Sequence, residues 1–323
     1  MDQLSVYQLL GINLDLALEA HDLLRGATRR EIPGVKEDKQ QLPFGTITTI
    51  TILNQAGAQA LGRPPGTYIT LEAPALREDN PEVHDQIIDA LSNLIRQLMA
   101  PLNLPVQAGI LVVGLGNWQA TPDALGPKVT DSVVVTRHLF QYAPQVVTPG
   151  LRMVSAIAPG VLGLTGIETA EIVKGVVNDI KPALVIAVDA LAAGDLNRIA
   201  STIQISNTGI NPGSGVGNYR TGINQETLGA PVIAIGIPTV VSAGVIIYQA
   251  LQQLARMSPM LASQVNPNSV QRVSEQVLQP FGGSLTVTPR EIDDLIERTS
   301  DIVASALNQA LHQPAQQAAS LPR

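Results

Sequence analysis

The chain has 323 residues, 45% hydrophobic and 15% charged, enough to bury a large core as one big α/β domain or two smaller ones. Its net charge of −7, with no cluster of Lys and Arg, excludes a dedicated nucleic-acid binder, because neutralising phosphates needs a concentrated cationic surplus. Cysteine is absent, which removes disulfides, thiolate zinc sites and cysteine nucleophiles together.

The opening "MDQLSVYQLLGINLDLALEAHD" carries acids where a secretory signal has a basic segment followed by an apolar one, so no export signal is expected. Within it, "LDLALEAHDLL" places leucines at helical spacing. Short apolar runs predict strands near 45–53 ("GTITTITIL"), 67–72 ("TYITLE"), 109–115 ("GILVVGL"), 183–188 ("ALVIAV"), 202–206 ("TIQIS") and 232–237 ("VIAIGI"). Helical periodicity fills the gaps: "PEVHDQIIDALSNLIRQLMA" before the third strand, "GIETAEIVKGVVNDIK" before the fourth, and "REIDDLIERTSDIVASALNQALH" at the end. Thr165 with Glu168 and Thr288 with Glu291 fit capping boxes, and Pro289 suits a first helical position.

Residues 230–251 are uncharged over a length that could span a bilayer. Pro231 and Pro238 interrupt them, so the expectation is a buried strand followed by a separate helix after Pro238, and no membrane contact. The last residues, 313–323, are polar and alanine-rich without apolar periodicity, the composition of a disordered tail. Alternating strands and helices predict an α/β fold: a central twisted, mostly parallel sheet flanked by helices on both faces.

Elimination narrows the chemistry. His21, His84, His138 and His312 are scattered without the spacing of a helical zinc motif, and each reads as a surface or packing residue. No G-x-S-x-G elbow exists, since Ser214 has Pro212 where the first Gly belongs. "GLGNWQ" starts like a dinucleotide fingerprint but has Gln119 in place of the third Gly, and "NPGSGVGN" lacks the Lys-Ser/Thr of a P-loop. Carboxylates remain. Asp189 ends the run "ALVIAV", at the carboxyl edge of a parallel sheet where crevices form, and burial there would raise its pKa into a range useful for acid or base chemistry. Asp123 follows another strand end in "GLGNWQATPDALGP". Each also has a plain structural reading: Thr121, Pro122 and Asp123 as cap, first and second residues of a helix, and Asp189 as a turn residue. Trp118, the one tryptophan, serves either to pack this loop or to touch substrate.

The segments "ILVVGLGNWQATPDALGP", "TRHLF", "VSAIAPGVLGLTGIET", "VIAVDALAA", "TIQISNTGINPGSGVGN" and "ETLGAPVIAIGIPTVV" resemble the germination proteases of spore-forming bacteria, over residues 13 to 312. Two features depart from the family: Asn211 stands where members often have His, and the stretch after residues 240–257 is shorter than in many. The resemblance implies an endopeptidase that degrades small acid-soluble spore proteins during germination, in the forespore or spore core. It also implies a fold similar to the hydrogenase-maturation proteases, an assembly of identical subunits, a tetramer, and no cofactor or metal. Direct contact with nucleic acid or membrane is not implied. The two family aspartates map onto Asp123 and Asp189 and imply an aspartic mechanism. Gly116 and Asn117 of "GLGN", with Gly213, Ser214 and Gly215 of "PGSGVGN", are candidates to bind the substrate strand or an oxyanion.

Family members are made as zymogens that lose a short propeptide, and their substrates are cut in the pattern Glu, then Phe or Ile, Ala, any residue, Glu. The matching pattern here is "DLALE", which places self-cleavage between Asp15 and Leu16 of an exposed segment. The chain then divides into a propeptide of residues 1–15, one α/β peptidase domain of residues 16–312, and the tail. Two alternatives stay open: a nickel-dependent maturation factor using the same strand-end acids with His138, and a structural homologue without activity.

Overall fold

The computed structural model describes residues 6–7, 9–12, 14–28, 31–213, 220–262 and 264–312. The tail 313–323 lies outside them, as do Ser214 and Gly215. Among the described residues nine strands form one sheet: β1 (Val35–Leu42), β2 (Gly45–Ile52), β3 (Gly66–Glu72), β4 (Ile110–Gly114), β5 (Val154–Ile157), β6 (Leu184–Ala193), β7 (Thr202–Ser206), β8 (Val232–Ser242) and β9 (Thr286–Val287). Their order is β1-β2-β3-β7-β8-β6-β4-β5, with β9 paired to β8.

The α/β class is as expected, but the sheet is mixed. The pairings β5–β4, β4–β6 and β6–β8 are parallel; the others among the described residues are antiparallel. The cause is connection length. Pro43 and Phe44 alone separate β1 from β2, too short a link for anything but an antiparallel turn, whereas helices connect β4 to β5 and β5 to β6, and β6 reaches its parallel neighbour β8 by way of β7. In β4 and β6 every other residue faces one of two cores. Ile110, Val112, Leu184, Ile186 and Val188 pack beneath Pro81–Met99, Leu125–Ser132 and Ile292–Leu311, while Leu111, Val113, Val185 and Ala187 pack against Thr169–Ile180. Burial on both faces is why these strands read as unbroken apolar runs. A third cluster, beside Ala243–Met257, takes in Val6 and Tyr7 from the N-terminal segment, the Tyr7 and Tyr248 rings meeting edge to face at 5.7 Å.

Strand β8 runs through Pro238 instead of ending there. Leu191 of β6 pairs with Pro238 and Ala192 with Val240, so Thr239 is an extra residue, and a bulge of this kind is where a sheet tolerates proline. The helix begins only at Ala243, with the Ser242 hydroxyl accepting from the Gly244 N–H at 3.2 Å. No helix among the described residues is long and apolar enough to cross a membrane.

Both capping boxes are absent. Thr165 closes the short helix Leu162–Thr165, while Glu168 precedes Thr169–Ile180 without a side-chain cap. The Glu168 carboxylate instead pairs with Arg220 at 3.1 Å. Thr288 donates to the Thr239 carbonyl at 2.8 Å, and the last helix starts at Ile292, past Pro289.

Candidate active site

The β4 ladder on β6 stops at the pair Gly114 and Val188. Asp189 is therefore the first residue of β6 beyond the end of β4, in the middle of a strand that continues to Ala193 along β8. A crevice opens where β4 leaves the sheet, the usual place for a site in an open α/β sheet. The chain after β4 turns back over it: Gly116 has φ of 116°, which a side chain would disfavour, and a Cβ there would collide with the Asp123 carbonyl. Gly126 lets the helix Leu125–Ser132 rest on the backbone of Leu115 and Val188, where a Cβ would not fit.

This turn delivers Asp123 to the crevice. It ends a short 3-10 helix, Thr121–Asp123, which Ala120 precedes without a side-chain cap, so the reading of Thr121 as a cap fails. The Asp123 Oδ2 accepts from the Asn117 N–H at 2.9 Å. Burial raises the Asp123 pKa and that hydrogen bond opposes the rise. Asp189 is only 4% exposed, and its Oδ1 accepts from the Ala190 N–H at 2.9 Å. Its pKa stands well above the ordinary carboxyl value, first through burial, then through the charges of Asp123 and Asp15.

Asp123 and Asp189 line one cavity of about 490 Å³. Gly116, Asn117 and Gly213 line it too, so these candidates come together. Its wall also holds the Glu168–Arg220 ion pair. His138 sits on the helix Arg137–Tyr142 and is not part of the wall. Among the described residues no three His, Cys, Asp or Glu side chains are grouped so as to hold a metal ion.

Asp15 is a member of this cavity that sequence reasoning did not place. Its Oδ2 accepts from the Ala192 N–H at 2.9 Å. The segment around it is packed, not exposed: Leu16 and Ala17 are fully buried, and a helix runs from Ala17 to Thr28. The motif "DLALE" marked the position; only the tertiary fold shows that it lies beside the two aspartates.

Two carboxyl groups in one cavity, both with pKa values raised by burial, are able in principle to exchange protons with a bound water. Comparison with known proteins gives the family. A sequence profile of the germination protease family matches residues 16–258 and 256–320. The chain is 48% identical to the germination protease of Caldanaerobacter subterraneus subsp. tengcongensis, over 94% of each chain. It is 43% identical to that of Clostridium perfringens, over 93% of this chain and 95% of the relative. Against a Bacillus cereus germination protease the identity is 39%, over 93% and 94%. Matched almost end to end, with both cavity aspartates inside the matched span, the chain belongs to the germination protease family and is a peptidase.

Proposed function

We propose that the protein is an aspartic endopeptidase that starts the breakdown of small acid-soluble spore proteins in the germinating spore, and that it is made as a precursor cut by itself between Asp15 and Leu16. The observation that carries this reading is the shared cavity of Asp123, Asp189 and Asp15. Asp189, buried and facing two like charges, keeps the proton; Asp123, less buried and held by the Asn117 N–H, is the base. Asp123 takes a proton from water as the water oxygen attacks the scissile carbonyl, and Asp189 gives its proton to the carbonyl oxygen. Collapse of the tetrahedral intermediate returns the first proton from Asp123 to the leaving nitrogen, and the new carboxyl group hands the second back to Asp189. Gly116, Asn117 and Gly213 line the cavity, and their backbone is the candidate to bind the reacting carbonyl together with Ser214 and Gly215, which follow Gly213 in the sequence and lie outside the described residues.

In this reading residues 1–15 are the propeptide and 16–312 the peptidase domain, working as a homotetramer in the forespore or spore core. The test is cleavage of a purified small acid-soluble spore protein in excess chelator by the wild-type chain, Asp123→Asn and Asp189→Asn. Cleavage by the wild type alone supports the reading; cleavage by either folded variant, or loss of wild-type activity in chelator, overturns the aspartic assignment.

A further inference from the structure

Beside the Asp123–Asp189 cavity lies a second, of about 120 Å³, and Asp15 and Leu191 border both. Among the described residues lining this smaller cavity, Arg63 is the one cation and Asp15 the one anion. The segment carrying Asp15 is held here by three groups. The Arg63 Nη2 donates to the Leu14 carbonyl. The Ala192 N–H, at the register shift of β6, donates to the Asp15 carboxylate at 2.9 Å. Gln204 of β7, only 9% exposed, donates from Nε2 to the Asp15 carbonyl at 3.2 Å and accepts at Oε1 from the Ala17 N–H at 2.6 Å. Gln204 thus brackets the bond between Asp15 and Leu16 on both sides.

We propose that Arg63, the Ala192 N–H and the Gln204 amide form the subsite for the residue on the amino side of the bond to be cut, and that Arg63 makes this subsite select an acidic side chain. The inference rests on self-cleavage falling between Asp15 and Leu16. That cut releases the Leu14 carbonyl and the Asp15 carboxylate together. It leaves a partly buried guanidinium and an N–H group facing a cavity whose described wall carries no other charge. Burial works against the Arg63 charge, and Asp15 is the first of the groups that support it. A protein substrate with Asp or Glu in the same place restores both the charge and the hydrogen bond; a neutral amide of the same shape restores neither the charge nor the stronger bond. The precursor therefore displays its own first substrate in the seat that later substrates use. Gln204, whose amide bonds the segment through its backbone, grips any sequence and positions the carbonyl.

The test uses the full chain, allowed to process itself, and then peptide pairs identical except for Glu or Gln before the cut bond. A hydrogen bond to a charged group predicts a Glu-over-Gln preference in kcat/KM of about 10- to 100-fold for the wild type. Arg63→Gln lowers the preference by slowing the Glu peptide alone, leaving the part that the Ala192 N–H supplies, and Arg63→Lys keeps more of it. In the precursor, Asp15→Asn slows self-cleavage by a similar factor, and by less in the Arg63→Gln background. If Arg63→Gln does not fold, the Arg63→Lys and Asp15→Asn arms decide. A wild type that cuts Glu and Gln peptides equally, or an Arg63→Gln enzyme that slows both equally, overturns the Arg63 assignment while leaving the protease reading intact. A mature N-terminus elsewhere than Leu16, found by mass spectrometry, removes the reading on which it rests.

Discussion

Asp15 and Asp189 share one cavity, and the charge on Asp15 is one of the causes that hold the Asp189 pKa high. The N-terminal segment thereby acts on the Asp189 carboxyl directly. A carboxyl group serving as general acid loses activity as pH rises through its pKa. Taking away the Asp15 charge lowers the Asp189 pKa, since a like charge is removed. The alkaline limb of the self-cleavage rate profile is therefore expected at lower pH for the Asp15→Asn precursor than for the wild type. An unchanged limb in rate measurements across pH would show that Asp15 does not influence the group being titrated.

Replacing either cavity aspartate separates activity from stability. Asp123→Asn and Asp189→Asn should each lower cleavage on the order of 10³-fold or more, because paired acid and base groups act as a unit. Asp189→Asn should also gain in melting temperature relative to the wild type as pH rises, because a buried carboxyl whose pKa is raised loses its contribution to stability in that direction. Cleavage assays and thermal melts of the same preparations check both halves. A folded variant with near-normal turnover, or an Asp189→Asn variant that does not gain on the wild type in melting temperature as pH rises, contradicts this account.

Much of this site was legible because its supports are strong local signals. The run "ALVIAV" ending in an acid could be read without any structure, as could a second acid after "GILVVGL", since burial on both faces of a parallel strand leaves an uninterrupted apolar stretch. Strand β1, "VKEDKQQL", was not legible: it is the sheet's edge, with only Val35 and Leu42 at its ends packed on the core and charges between them that discourage pairing with other chains. The failed capping boxes share a different cause. Glu168 and Thr288 had the right spacing, but tertiary partners far along the chain, Arg220 and the Thr239 carbonyl, took their polar groups. The place of Asp15 was hidden for the same reason, because its bond to the Ala192 N–H joins segments that no periodicity relates.

Trp118 is half exposed, and its ring rests against Gly160, whose φ of 75° and lack of a side chain leave room for it. Neighbouring Asn117 and Val161 both line the Asp123–Asp189 cavity. Packing and substrate contact are thus compatible, and a peptide seated in the cavity should change the tryptophan emission. The measurement is a fluorescence titration of the inactive Asp123→Asn chain after its N-terminal segment has been cut by wild-type enzyme that is then removed. No change with a peptide that calorimetry shows to be bound leaves packing as the whole role. Gly160→Ala should shift the emission without any peptide, since a methyl group there meets both the indole and an unfavourable backbone conformation.

Glu19, four residues beyond Asp15, ties the N-terminal segment to β6 in a pH-dependent way. It is 5% exposed, and both carboxylate oxygens accept from the Gly194 N–H, at 2.9 and 3.1 Å. Burial pushes its pKa up to about 8, helped by the charges of Asp15 and Asp195 and opposed by Arg198, 3.7 Å away, and by the Gly194 N–H. The unfolded chain releases this proton near 4.5, the folded chain only near 8, so between those values the folded state binds more protons. Stability contributed by this group is therefore complete below pH 4.5 and is lost as pH rises through about 8. Glu19→Gln, which keeps an oxygen for the Gly194 N–H but cannot ionise, should flatten that decline and melt roughly 2 °C or more above the wild type on the alkaline side. Hydrogen exchange should show the same contrast locally, with the amides of the helix Ala17–Thr28 less protected at alkaline pH in the wild type and unaffected by pH in the variant, after correction for the intrinsic rate. Parallel melting curves for the two chains across this range would rule Glu19 out as the titrating group.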